Sequence, residues 1–302
     1  MAVLPKLHVD DWEDTKNTLH LFMQIVGKIR MALFPKQNHW WHVPLYVSCH
    51  GLTTRAIPYQ DKYFEIAFDF LQHHLVISCS TGNSKTFSLE GQSVASFYEN
   101  VLTNLAALGI DVSIKAEPYD VPFSSTPFAQ DKEHASYDRK SIEKYWHILM
   151  FVNAVFEQFH GEFIGKSTPV HLFWHHADLA LTRFSGKAAP PLESGTNADK
   201  EAYSHEVISF GFWMGDAIIR EPAFYAYAYP EPENLANTPI KTNGASWNTD
   251  FGYAMLFYPF EPVRTAADPA NTLLQHLRDS YHLLATASGW DAANLQHTKN
   301  KD

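Results

Sequence analysis

The sequence predicts an α+β fold made of two similar halves, each with a helix, an antiparallel sheet and a second helix. Segments with helical spacing of apolar residues begin and end each half, and short β-rich segments separated by turns lie between them. A proline-containing stretch without periodicity separates the halves. We therefore predict an N-terminal half over 1–117, a linker over 118–138 and a C-terminal half over 139–302, packed as one globular unit.

The first half begins with a helix whose apolar residues recur at helical spacing from Trp12 to Phe34 and which Pro35 ends. Five β-rich segments follow, at 43–50, 53–58, 63–70, 74–80 and 84–89. Two of them, FEIAFDF and HLVISCS, are separated by Gln72-His73 and predict a hairpin. A second helix is expected at 92–108, before Gly109.

The second half repeats this order. A helix is predicted at 139–160, and a last helix runs from about 268 to 288, with Asp268 as its cap and Pro269 in its first turn. Strands between them are expected near 169–175, 179–185, 203–214, 223–229 and 252–258. The repeated order suggests an internal duplication. A gapless offset of 127 pairs Leu45 with Leu172, although coincidence explains the few identities equally well.

Composition excludes several classes of function. The chain has 302 residues and a formal charge of −10, so its surface repels phosphate backbones and we expect no nucleic acid partner. It has no apolar run long enough for a membrane span, and its first residues lack a secretion signal, so we expect a cytoplasmic protein. Its two cysteines, Cys49 and Cys79, lie among apolar neighbours, which is typical of reduced thiols.

The segment NHWWHVP, 38–44, carries two histidines that bracket two tryptophans. Because the segment looks extended, side chains should alternate, with His39 beside Trp41 and Trp40 beside His42. The two histidines would then point apart, which disfavours chelation of a metal by this pair. Two interpretations remain: a Trp-walled cleft with one histidine facing it, or a layer of rings that seals the sheet against the first helix.

The segment PVHLFWHHADLALTRFSG, 169–186, is rich in residues of metal-ligand type. His171 and His175 alternate onto one strand face, with Asp178 nearby, and a third ligand would be His205 or Glu206. His205 and Glu206 are adjacent on a predicted strand, so only one of them can face a given pocket. A metal ion therefore stays an open but disfavoured alternative, and no cofactor is identified.

Arg183 and Ser185 in the same segment suggest an anion clamp, in which a guanidinium binds a carboxylate or phosphate and a hydroxyl lies beside it. An ordinary ion pair of Arg183 is the alternative.

The segment REPAFYAYAYPEPE, 220–233, places Tyr225, Tyr227 and Tyr229 on one face of a predicted strand. Such a row forms a hydrogen-bonding aromatic wall for a planar ligand, or it packs as part of the structure. Glu221, just before the strand, is a general acid or base if it is buried beside the pocket.

The segments NHWWHVPLYV, GLTT, PVHLFW, LTRFSG, EAYSHEV, GFW and EPAFYAYAYPEPE resemble an uncharacterised bacterial family, known only as a domain of unknown function. The resemblance covers nearly the whole chain and brings no established activity. Its motif positions correspond here to Asn38, His39, Trp40, Trp41, His42, His171, Asp178, Arg183, Ser185, His205, Glu206, Glu221, Tyr225 and Tyr227. His175 and His176 depart from the family pattern, which counts against a His171/His175 metal pair.

Three functional hypotheses follow. In the first, an enzyme of hydrolase or transferase type acts on a small molecule, with His171 or His205 as general base, Glu206 or Asp178 orienting it and Arg183 holding a substrate anion. In the second, the same cleft binds a small ligand without chemistry. In the third, the aromatics are core and the acidic surface is the exterior of a homodimer. Convergence of His171, Arg183, His205 and Glu206 around one cavity would favour the first two hypotheses. If these residues lie on separate faces, both fail.

Overall fold

The computed structural model describes residues 3–296, so the ends of both predicted halves, 1–2 and 297–302, lie outside the described residues. Within that range the helices are α1 Glu13–Leu33, α2 Val94–Ala107, α3 Arg139–His160, α4 Asn197–Ala202, α5 Phe260–Arg264 and α6 Pro269–Ala287. The strands are β1 Tyr46–Val47, β2 Gly51–Thr53, β3 Ile57–Tyr59, β4 Lys62–Asp69, β5 His74–Cys79, β6 Ser84–Ser88, β7 His171–Phe173, β8 Asp178–Ala188, β9 His205–Trp213, β10 Ala223–Tyr229, β11 Ser246–Asn248 and β12 Met255–Pro259.

The strands form two antiparallel sheets, one in each half. The first has the order β1-β2-β4-β5-β6, with β3 paired to β4, and the second has the order β11-β12-β10-β9-β8-β7. The two sheets meet at β1 and β7, where Leu45 and Leu172 exchange two backbone hydrogen bonds of 2.8 Å. The edge of each sheet is therefore paired with the other, and the halves share one layer of strands.

Strand alternation separates a helix face from an outer face. In β4, Phe64, Ile66 and Phe68 are buried among the helices, while the residues between them are more exposed. In β10, Phe224 and Ala226 are buried and the tyrosines between them are partly exposed. One apolar core includes side chains of both halves on the helix face.

The predicted linker, 118–138, packs against the first half. The carbonyls of Asp131 and His134 accept hydrogen bonds from Ala95 and Val94 at the start of α2, at 2.8 and 2.9 Å. Asp131 also accepts a hydrogen bond of 2.8 Å from the His134 imidazole. The segment is therefore bound to helix α2 over these residues, although it is irregular as predicted.

The α+β fold is confirmed, and the four long helices begin and end within one or two residues of their predicted bounds. The predicted strand 43–50 is shorter because 48–50 form the turn into β2, and α4, α5 and β11 were missed. Each half contains a helix, a sheet and a second long helix, and the internal duplication stays a prediction. No helix within the described range has the length and apolar character that a membrane crossing needs.

Candidate functional site

A pocket of about 560 Å³ lies between the two halves, where helix α4 packs against the turn at 38–40. The first half contributes this turn and Lys36, and the second half contributes α4, the start of β9 and Lys166. The lining residues are Lys36, Asn38, His39, Trp40, Lys166, Asn197, Lys200, Glu201, Ser204 and His205. His39, Trp40 and His205 were predicted as site residues, and all three lie here.

The HWWH segment reaches the pocket through a turn. The expectation of an extended backbone was wrong: residues 38–40 form a 3-10 turn, in which His39 and Trp40 have φ of 52° and 60°. Left-handed conformations at two consecutive residues with side chains store about 1–3 kcal/mol each. The predicted ring pairs nevertheless occur, since His39 stacks on Trp41 at 5.4 Å and Trp40 lies 5.2 Å from His42.

His39 forms the buried wall of the pocket. Its side chain is 7% exposed and packs against Phe184 at 4.9 Å between ring centroids. Nε2 accepts a hydrogen bond of 3.2 Å from the Lys166 ammonium, so Nδ1 carries the proton. Nδ1 itself makes no hydrogen bond within residues 3–296. Burial, followed by the nearby charge of Lys166, lowers the pKa of His39 below its usual value, which favours the neutral ring.

His205 begins β9 and faces His39 across 5.5 Å between ring centroids. The Ser204 hydroxyl donates its one proton to the carbonyl of Glu201, at 2.8 Å, and lies 3.0 Å from His205 Nδ1. Because the hydroxyl must accept in the second bond, Nδ1 carries the ring hydrogen in neutral His205. Nε2 is then the unprotonated nitrogen and can accept a hydrogen bond or a proton.

Positive charge dominates the pocket. The lining contains three lysines against one glutamate, a formal charge of +2 with both histidines neutral. Glu201 pairs with Lys36 at 2.7 Å, while no carboxylate among the described residues pairs with Lys166 or Lys200. In a chain of net charge −10, this is a local cationic site.

Two residues of the predicted catalytic set lie elsewhere. Arg183 is 1% exposed on the helix face, where it donates to the carbonyl of Phe159, so the anion-clamp prediction was wrong. Aromatic rings surround its guanidinium, and burial lowers its pKa to about 9. His171 is fully buried on the outer face between Tyr46 and Phe173, with neither ring nitrogen hydrogen-bonded in the described chain. His171, Arg183, His205 and Glu206 therefore do not converge, and the enzyme and binding hypotheses that place these four residues in one cleft fail.

Other predicted residues form local hydrogen bonds. Ser185 donates to Glu206 at 2.7 Å, so Glu206 pairs within its own sheet, and His205 is the neighbour that reaches the pocket. Tyr225 donates to the buried Asp178 at 2.5 Å, and Tyr227 bonds to Tyr203 at 2.9 Å. Burial raises the pKa of Asp178. The tyrosine wall therefore exists on the outer face of the second sheet and does not line the pocket.

Three predicted site residues remain: His42, Trp41 and Glu221. The Nδ1 atom of His42 accepts a hydrogen bond of 3.3 Å from the Gln37 backbone and closes the turn. Trp41 backs His39 and lies under the Lys166 ammonium at 5.4 Å. Glu221 lies in a separate small depression with Lys6 and Arg264, so its proposed role beside the pocket was wrong.

Sequence reasoning missed most of the charged lining. Lys36, Lys166 and Lys200 belong to no motif, because a surface lysine carries no periodic signal. Helix α4, which carries Lys200, begins within the proline- and glycine-containing segment 186–200. Among residues 3–296, no three His, Cys, Asp or Glu side chains come together as a metal site.

A family model described as "Family of unknown function (DUF5996)" matches residues 4–297 of the chain. Neither a curated protein nor a solved structure matches it. The match agrees with the resemblance of the NHWWHVPLYV, LTRFSG and EAYSHEV segments and brings no activity with it.

Proposed function

The chain belongs to this family of unknown function, and we propose that it binds a small anionic molecule in the pocket between the 38–40 turn and α4. One observation carries the proposal: Lys166 and Lys200 line a pocket whose one carboxylate, that of Glu201, is already paired with Lys36. A ligand anion would neutralise them, and an open pocket of about 560 Å³ has the size of a small-molecule site.

The test is isothermal titration of the protein with acetate, succinate, inorganic phosphate and neutral glycerol. We expect at least one anion to bind and the double variant Lys166→Met/Lys200→Met to weaken it about tenfold or more, a loss of about 1.4 kcal/mol. Binding should also weaken as salt rises, because exposed charges are screened.

The matched control is Lys132→Met/Lys140→Met, which removes two exposed lysines outside the pocket. Equal weakening in both double variants would show a general charge effect and contradict the proposal. Binding of none of the anions would contradict it as well.

An enzyme of hydrolase or transferase type is the second candidate, and the hydrogen bonding of His205 supports it. With Nδ1 bonded to Ser204, the Nε2 atom of neutral His205 is left as the acceptor, which supports a role as general base for a water or hydroxyl in the pocket. In this proposal His205 acts as the general base without His171, Glu206 or Arg183, because these side chains do not meet.

The two candidates differ in the effect of His205→Gln. If the protein is an enzyme, this variant should lose about 10²–10⁴-fold in turnover of a chromogenic ester while the Kd of the anion changes little. Equal turnover in the variant and the parent would contradict His205 as the general base, and no turnover in either would contradict an esterase activity. In both cases ligand binding would be the one candidate function that remains.

We also propose cytoplasmic residence. Both cysteines are free, and Cys49 is exposed, which fits a reducing compartment. The homodimer stays a prediction that the mass in solution would test.

A further inference from the structure

The hydrogen-bonding groups of the pocket are mostly donors. Lys166 and Lys200 have three ammonium hydrogens each, and Asn38 and Asn197 each add two amide hydrogens beside one carbonyl oxygen. His39 adds no free donor, because its Nε2 accepts a hydrogen bond from Lys166 and its Nδ1 is buried. The Glu201 carboxylate is paired with Lys36. The ligand must therefore supply an excess of acceptors.

The charge of the pocket narrows the ligand further. A formal charge of +2 is neutralised by one dianion. A phosphate monoester carries about −1.5 to −2 charges near pH 7 on three acceptor oxygens. A carboxylate carries one charge on two oxygens, so a single carboxylate matches neither the charge nor the number of donors.

The pocket also has an aromatic side. Trp40 is partly exposed and lies along it, with the Lys36 ammonium 5.4 Å from its ring. An indole offers a flat apolar surface on which a planar group stacks. A volume of about 560 Å³ exceeds what a phosphate group needs, so an organic part has room beside it.

From these contacts we infer that the ligand is a phosphate monoester with a planar organic group, its phosphoryl oxygens bound by Lys166 and Lys200 and its ring stacked on Trp40. The inference rests on the proposed anion-binding function and specifies its ligand class.

Calorimetric titration with four probes at pH 7.5 tests the inference: phenyl phosphate, inorganic phosphate, benzoate and succinate. We expect phenyl phosphate to bind at least about tenfold more tightly than each of the others, because it alone combines a phosphoryl dianion with a ring. All four titrations use the unchanged protein, so the result does not depend on the folding of a variant.

The variant Trp40→Asn tests whether the ring of phenyl phosphate stacks on Trp40. Asparagine tolerates the left-handed backbone found at this position, so the turn should persist. We expect the variant to bind phenyl phosphate and inorganic phosphate equally, with its affinity for inorganic phosphate unchanged. A preference for phenyl phosphate that survives in the variant would contradict stacking on Trp40.

The possible results distinguish failure of the phosphate-ester inference from failure of the anion-binding function on which it rests. Succinate or benzoate binding as tightly as phenyl phosphate would overturn the phosphate ester and leave the anion-binding function in place. Failure of all four probes to bind would contradict both.

Discussion

At the scale of single residues, Gly211 determines where Tyr225 points. The tyrosine ring lies over this glycine, where a Cβ would come within 2.1 Å of the ring, and its phenol continues to Asp178 on the next strand. The second oxygen of Asp178 makes no hydrogen bond within the described chain. The bond from Tyr225 is thus the main compensation for burying this carboxyl group.

We predict that Gly211→Ala destabilises the protein by about 1–3 kcal/mol, because the added methyl group displaces the Tyr225 ring. Urea unfolding measures the loss. Gly161→Ala is the control, since its φ is −64° and its Cβ would meet its nearest neighbours at an ordinary 3.6 Å, so we expect a change within about 0.5 kcal/mol. Equal losses in both variants would show that contact with Tyr225 is not the cause.

The sequence could predict a site residue only where a residue of a motif also lies at the pocket in the folded structure. His39, Trp40 and His205, three of the predicted site residues, lie at the pocket. Arg183 has the same strand parity as Leu179 and Leu181, which are buried on the helix face, so its direction was present in the sequence. The charge of Arg183 predicts an exposed side chain instead, because a buried arginine without a carboxylate partner is rare.

At the scale of elements, Arg183 joins strand β8 to the C-terminal end of helix α3. Its guanidinium donates to the carbonyl of Phe159, one residue before the helix ends, where helix carbonyls lack partners. The rings of Phe159 and Tyr281 lie 3.6 and 4.5 Å from the guanidinium carbon. The buried charge is therefore stabilised by a helix end and by aromatic faces.

We predict that Arg183→Ala costs about 3 kcal/mol, since it leaves a cavity among aromatic rings and an unbonded carbonyl. Arg183→Lys should lose much of the same stability, because an ammonium does not reproduce the planar stacking. Arg139→Ala, which removes a half-exposed partner of Glu90, should cost at most about 1 kcal/mol. A similar small loss for Arg183→Ala, measured by urea unfolding, would contradict the role given to it.

Long periodic elements were predictable and short ones were not. Helices α1, α2, α3 and α6 each have enough turns for their apolar stripe to stand out in the sequence. Helix α4 has six residues, which are mostly polar, and none of them is buried. Its position therefore depends on packing against the 38–40 turn. The pocket is built from these two short elements, which explains why it could not be predicted as a whole.

At the scale of the molecule, the two halves are joined at a pair of corresponding residues. Leu45 and Leu172, paired at the offset of 127, bond to each other in an antiparallel bridge. Two equivalent residues that exchange bonds in this way lie across a local two-fold axis. The sheets also share their strand order outward from this point, apart from β3 and β11. The duplication stays a prediction, and this local symmetry is its best geometric support.

Buried histidines make the stability of the whole chain depend on pH. Burial lowers the pKa of His20, His171 and His276 to about 3. Above pH 6.5 these rings are neutral in both the folded and the unfolded chain, so they add no pH dependence. As pH falls from 6.5 toward 3, only the unfolded chain gains their protons, so the folded state loses stability.

We predict that each of these histidines lowers the free energy of unfolding by about 2 kcal/mol between pH 7 and pH 5. His171→Leu isolates one contribution, because neither ring nitrogen has a hydrogen bond to lose within residues 3–296. Urea unfolding at both pH values should show the loss reduced by about 2 kcal/mol in this variant. His147→Leu, at an exposed position on α3, is the control and should show the same loss as the parent. An unchanged loss in His171→Leu would mean that His171 is protonated in the folded protein, and that its burial does not exclude the charge.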